Sequence, residues 1–94
     1  MHKHFLTKQE LVDQFPDSNL DNDFNPRKKT PHFYVPLVTL SKIELSDTAV
    51  DINLYNHMGA LILTISPWES RDEIAKYIAD RYLEATGINI TPKK

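Results

Sequence analysis

A chain of 94 residues has room for one domain and no second. Eleven Lys and Arg against 13 Asp and Glu leave a formal charge of −2, and the 40% hydrophobic and 26% charged content is that of an ordinary globular domain. The absence of cysteine excludes disulfides, thiolate metal sites and cysteine nucleophiles. The longest apolar run, Ala60 to Leu63, falls far short of the ~20 residues a membrane-spanning helix needs. The start, Met1-His2-Lys3-His4-Phe5, runs into polar sequence with no signal-peptide core. A soluble, cytoplasmic protein is the expectation.

The first predicted element is a helix over 8–15. Thr7 can cap it while Glu10 reaches back to the Thr7 amide, a capping box, with Leu6 and Leu11 as the apolar staple across it. Leu11, Val12 and Phe15 form its inward stripe, and Pro16 stops it by disfavouring helical geometry at Phe15. From Asp17 to Pro31 the Asp and Asn residues favour local turns, so a long irregular loop is expected over 17–31. Leu20 and Phe24, four apart, can form one amphipathic turn that pins it to the core.

The middle third reads as β structure. His32 to Leu45 forms a first strand region, with alternation broken near Ser41-Lys42 by a bulge or bend. Pro36 places its stretch on an edge or outside the ladder. The second strand alternates Val50, Ile52 and Leu54 with Asp51, Asn53 and Tyr55. Asn56-His57-Met58-Gly59 supplies a turn, and Leu61, Leu63 and Ile65 alternate with Ile62 and Thr64 in the third strand.

The closing helix has two possible starts, Ser66-Pro67-Trp68-Glu69 and, one turn later, Ser70 with Glu73. Ile74, Ala75, Ile78, Ala79, Tyr82 and Leu83 build its apolar face. Gly87 ends it, with Ile88 expected to fold back on Leu83, and 89–94 is expected to be an extended or frayed tail. The sum is a single α+β domain over 1–94, ordered α-β-β-β-α, with an antiparallel meander and both helices on one sheet face. That order is similar in topology to the double-stranded-RNA-binding domain. That family opens its second helix with a Lys-rich phosphate clamp, where this chain reads Ser70-Arg71-Asp72-Glu73. One cation beside two carboxylates repels phosphate, so no family is assigned.

Catalytic and metal chemistry find no support in the spacing. None of Ser18, Ser41, Ser46, Ser66 and Ser70 stands in a nucleophile elbow, and two glycines 28 positions apart cannot make a phosphate loop. His2, His4, His32 and His57 lack ligand spacing. The expectation is a protein that is not an enzyme, with no cofactor, no metal and no small-molecule substrate.

Two surfaces remain. Arg27-Lys28-Lys29 followed by His32, Phe33 and Tyr34 combines phosphate attraction with rings for base stacking, the ingredients of a nucleic-acid contact. The second surface emerges from the charge distribution. Residues 1–31 and 66–94 each carry five cations and five anions, whereas 32–65 hold only Lys42, Glu44, Asp47 and Asp51. The −2 therefore belongs wholly to the sheet region. Its face away from the helices is expected to be an uncharged, semi-apolar contact patch of Tyr34, Asn53, Tyr55, Ile62 and Thr64. The leading expectation is a small interaction or regulatory module that docks this face, or a sheet edge, on a protein partner or on itself as a homodimer. Nucleic-acid binding is the alternative, and an inhibitor encoded by a phage or mobile element also fits the size.

Overall fold

The computed structural model describes residues 5–18, 33–47, 50–67 and 69–93. Helix α1 (Lys8–Gln14) begins where the capping signal stands. Thr7 is extended, and its hydroxyl accepts the Glu10 amide at 3.2 Å. Leu6 and Leu11 are both fully buried. Phe15 leaves helical geometry ahead of Pro16, and a 3-10 turn, Pro16–Ser18, follows. The rest of the expected 17–31 loop, with Leu20 and Phe24, lies outside the described residues.

Two features of the N-terminal half differ from expectation. Phe5–Thr7, for which no strand was expected, is a strand, β1, paired antiparallel with β2 (Tyr34–Pro36) in a two-stranded ribbon. Leu6 and Val35, direct partners, turn inward and are fully buried. The single strand region expected over 32–45 is also divided. A turn over 37–39, in which the Thr39 amide donates to the Pro36 carbonyl at 3.3 Å, separates β2 from β3 (Leu40–Leu45). Pro36 thus lies outside the main ladder, as its missing amide requires.

The meander is formed by β3, β4 (Ile52–Asn56) and β5 (Leu61–Ile65), antiparallel in that order. The register shifts between Leu40 and Lys42. That bulge turns Ser41 and Lys42 both outward and keeps Leu40 and Ile43 in the core. A second shift, unforeseen in the alternation, falls in the last hairpin: Leu54 pairs with Leu63 and Tyr55 with Leu61, which leaves Ile62 as the extra residue. The hairpin turn closes through the Gly59 amide to the Asn56 carbonyl at 3.0 Å and the Asn56 amide to the Ala60 carbonyl at 2.9 Å. Gly59, at φ 81°, supplies the left-handed residue that a three-residue loop requires.

Helix α2 (Arg71–Thr86) takes the later of its two starts. Ser66, the earlier candidate cap, instead donates its hydroxyl to Asp51 Oδ1 at 2.7 Å, and Pro67 is fully buried. Arg71 then reaches across to the Ser46 carbonyl with Nη1 at 2.8 Å, tying the helix start to the β3–β4 connection. Ser70 enters the helix at φ 64° with no side-chain capping bond. Left-handed backbone costs a non-glycine residue about 1–2 kcal/mol, part of which glycine loses to its freer unfolded chain. Ser70→Gly is therefore expected to raise stability by about 0.5–1 kcal/mol, read as a melting temperature higher by a few degrees. An unchanged or lower melting temperature would show that Ser70 stores no strain.

Ile74, Ala75, Ile78, Ala79 and Tyr82 of α2 pack with Leu11, Ile43, Leu45, Ile52, Leu54 and Ile65 in one core. The helices run antiparallel to each other, because Glu10 meets Arg81 at 3.7 Å while Phe15 meets the Tyr77 ring edge-on at 5.7 Å. At the C-terminal end Leu83 and Ile88 stay 42% and 54% exposed. The helix ends through a single bond from the Gly87 amide to the Leu83 carbonyl, with the Ile88 amide donating to Thr86 Oγ1. Of its two expected forms the tail takes the extended one. Lys93 bridges β3 in parallel, its amide donating to Ile43 and its carbonyl accepting from Leu45, and Ile90 packs half-buried against the core.

Candidate functional site: the open face and free edge of the sheet

Alternation along the strands sends Ile43, Leu45, Ile52 and Leu54 to the core and leaves Lys42, Glu44, Asn53, Tyr55, Leu61 and Thr64 on the opposite face. Direct cross-strand pairs on that face are Lys42 with Tyr55, Glu44 with Asn53, Asn53 with Thr64, and Tyr55 with Leu61. The polar groups satisfy one another. The Tyr55 hydroxyl donates to Glu44 Oε1 at 3.1 Å, and Lys42 Nζ lies 3.3 Å from Glu44 Oε2 and 5.2 Å from the Tyr55 ring centroid. Beside this trio, Thr64 donates to Asn53 Oδ1 at 2.8 Å.

The expectation of an uncharged face is thereby corrected. Within the three strands it carries one cation and one anion, which pair with each other, and Asp51 adjoins it at the start of β4. The bulge at Leu40/Lys42 is the reason, because a regular strand would turn Lys42 to the same side as Leu40.

The hydrogen bond to Glu44 is the main cause that raises the Tyr55 pKa, with burial and the Glu44 charge acting the same way and Lys42 opposing. Because a raised tyrosine pKa favours the protonated phenol in the folded chain, this bond contributes below the ordinary tyrosine range and is lost as pH rises through the Tyr55 pKa. Glu44→Gln is expected to move the Tyr55 ring-carbon NMR titration downward. A midpoint that does not move would mean that the phenol and the carboxylate are not coupled.

The sheet has two unlike edges. The β3 edge is occupied at Ile43–Leu45 by Lys93. There the neighbouring Pro92 has no amide to offer a further strand. A groove of about 420 Å³, lined by Ser41, Lys42, Ile43, Ile90 and Thr91 among others, separates the remainder of β3 from the tail. The β5 edge is bare among the described residues, with β4 as its only strand neighbour. Its sequence, Leu61-Ile62-Leu63-Thr64-Ile65, has none of the Lys, Pro or inward charge that commonly blunts such an edge, and the bulge at Ile62 is the one device of that kind it carries.

Of the residues expected to form the contact patch, Asn53, Tyr55 and Thr64 come together on the open face. Tyr34 does not join them: it stands on the ribbon, 59% exposed, with its ring edge-on to Phe5 at 6.4 Å. Ile62 occupies the bulge and packs half-buried against the core. Leu61, 55% exposed and opposite Tyr55, takes the place assigned to it. Simple alternation hides Leu61, because the bulge reverses the parity of the strand. Lys42 and Glu44 were also missed, although the expected break near Ser41-Lys42 carries their signal.

Arg27, Lys28, Lys29 and His32 of the expected nucleic-acid contact lie outside the described residues. Phe33 is corrected. It is 6% exposed and belongs to the core, so its ring cannot stack on a base. No helix among the described residues is long and apolar enough to cross a membrane. No protein-family model matches this chain, and no curated protein or solved structure is significantly similar to it.

Proposed function

We propose that this chain is a small, non-enzymatic protein-interaction module that docks through the open face of its sheet and the adjoining β5 edge. The observation that carries this reading is the mutual pairing of the polar groups on that face. Burying a polar group without a partner costs about 1–3 kcal/mol. Tyr55, Asn53 and Thr64 already have partners within the face, so a protein surface can cover them at small desolvation cost, while the Lys42–Glu44 ion pair, costlier to bury, belongs at the rim of such a contact. Tyr55 and the exposed Leu61 supply the aromatic and apolar contact typical of an interface centre.

The test compares wild type with Tyr55→Ala and Leu61→Asp, each checked for an unchanged circular-dichroism spectrum. Sedimentation measures self-association, and retention of host proteins on the immobilised chain measures other partners. The expected result is an association that both substitutions abolish. A strict monomer that retains no protein, with both variants indistinguishable from wild type, would contradict the reading.

A further inference from the structure

We propose that the ribbon of β1 and β2 is a second docking surface, and that its occupant is a single-stranded nucleic acid whose bases stack on Phe5 and Tyr34. This surface shares no residue with the open face of the sheet. Three observations carry it.

First, the ribbon presents two rings to solvent. Its strands pair Phe5 with Pro36, Leu6 with Val35 and Thr7 with Tyr34. Leu6 and Val35 are fully buried, so the pleat turns Phe5 and Tyr34 together to the opposite side. There they are 56% and 59% exposed, in edge-on contact at 6.4 Å. Neither ring belongs to the core. An exposed aromatic face accepts any base, because every base has a π-face of its own. Phe5 thus takes the part that Phe33, buried in the core, cannot.

Second, the segments that lead into and form the ribbon are cationic without exception. Residues 1–8 and 26–36 contain Lys3, Lys8, Arg27, Lys28 and Lys29 and no Asp or Glu. The rest of the chain sets six cations against all 13 carboxylates. The formal charge of −2 conceals a basic ribbon sequence on an acidic remainder. Lys8 is buried, which leaves the other four cations to meet phosphate. Those four lie outside the described residues, and covalent reach ties them to the ribbon. At up to ~3.6 Å per residue, Lys3 Cα is within about 7 Å of Phe5 Cα, and Lys29 Cα within about 18 Å of Tyr34 Cα.

Third, rings and charge together select one class of polyanion. An acidic peptide offers carboxylates but no base to stack, and a duplex has its bases already stacked on one another. A single strand brings phosphates and unpaired bases to the same place. The first carboxylate after β1, Glu10, is offset by Arg81 at 3.7 Å.

The test is fluorescence anisotropy of a labelled single-stranded oligothymidylate of about 12 nucleotides, titrated with the full chain at low salt. Phe5→Ala and Tyr34→Ala are each expected to weaken binding about tenfold without changing its salt dependence. Tyr34→Phe keeps the ring and should bind as wild type does. Lys28→Glu combined with Lys29→Glu should lower the affinity and flatten the salt dependence, whose logarithmic slope for four phosphate contacts is about −3. A duplex of equal length and polyglutamate should each bind at least about tenfold more weakly than the single strand. Because truncating a strand residue also loosens the ribbon, NMR of the wild type supplies a readout free of substitution. On adding the oligonucleotide, the ring signals of Phe5 and Tyr34 should shift while those of Tyr55 stay in place.

A wild type that binds no oligonucleotide at low salt would overturn the proposal. So would binding that the two alanine variants leave unchanged, or that polyglutamate or the duplex matches, since the contact then rests on charge alone. Ring shifts at Tyr55 with none at Phe5 or Tyr34 would also overturn it, by moving the contact to the open face.

Discussion

Replacing Leu54 with alanine is expected to destabilise the domain by about 2–5 kcal/mol. Leu54 is fully buried on the central strand, with Ile43 of β3 and Leu63 of β5 as its direct cross-strand partners. The side chains of α2 close over it from the helix layer. Strands hydrogen-bonded on both sides cannot collapse into the space left behind, so the cavity cost adds to the lost transfer free energy. A small domain has only about 5–15 kcal/mol of stability to lose. In urea the midpoint should fall with an unchanged slope, the signature of lost stability rather than altered compactness. Leu61→Ala is the internal comparison. Leu61 is one strand away on the opposite face and 55% exposed, and its truncation is expected to stay within about 0.5 kcal/mol in dilute solution. The contrast follows from the bulge at Ile62. Equal effects would mean that the register of the last hairpin is wrong.

Ending the chain at Ile88 should produce the second large effect, a loss of about 1–3 kcal/mol net. The truncation removes two backbone hydrogen bonds between Lys93 and the β3 edge and the half-buried Ile90. Each bond is worth about 1 kcal/mol net, and partial burial of an Ile side chain contributes about 1 kcal/mol more. The entropy recovered by a freed tail offsets part of this. The local signature is sharper than the global one. The Leu45 amide donates to the Lys93 carbonyl in the full chain, so its hydrogen exchange should accelerate markedly in the truncated chain, while amides within α2 follow only the global change. A Leu45 amide that exchanges as slowly without the tail as with it would show that the bridge does not hold.

The parts of this fold legible from sequence are those that local rules decide. Thr7 with Pro16 bounds α1, Asn56 to Gly59 makes the hairpin turn, and the spacing of Ile74, Ala75, Ile78, Ala79 and Tyr82 marks the buried face of α2. What was not legible depends on partners distant in the chain. Phe5-Leu6-Thr7 is too short to show a strand period, and it becomes a strand only because Tyr34–Pro36 lies beside it. The start of α2 was undecided between two capping signals until Asp51 engaged Ser66, 15 residues away. The tail gives no β signal, since one residue, Lys93, makes both of its bonds to β3.

The candidate site divides in the same way. The low charge of the sheet region and the outward facing of Asn53, Tyr55 and Thr64 follow from composition and period two. The exchange of Ile62 for Leu61 and the presence of Lys42 and Glu44 follow from two bulges, where one extra residue reverses which side chains face outward. Phe33 was lost from the alternative nucleic-acid surface for a related reason. It lies next to exposed Tyr34, and the strand pleat turns the two rings to opposite sides.

The most direct test of the sheet as a docking surface is residue-resolved amide hydrogen exchange of the chain in dilute solution, at high protein concentration and with host proteins added. The account predicts that amides of Ile62 to Thr64 slow in at least one of the latter two conditions, with matching shifts at Tyr55 and Leu61, while amides within α2 and at Leu45 stay constant. Exchange in β5 that neither concentration nor host protein changes, with no change at Tyr55 or Leu61, would contradict it.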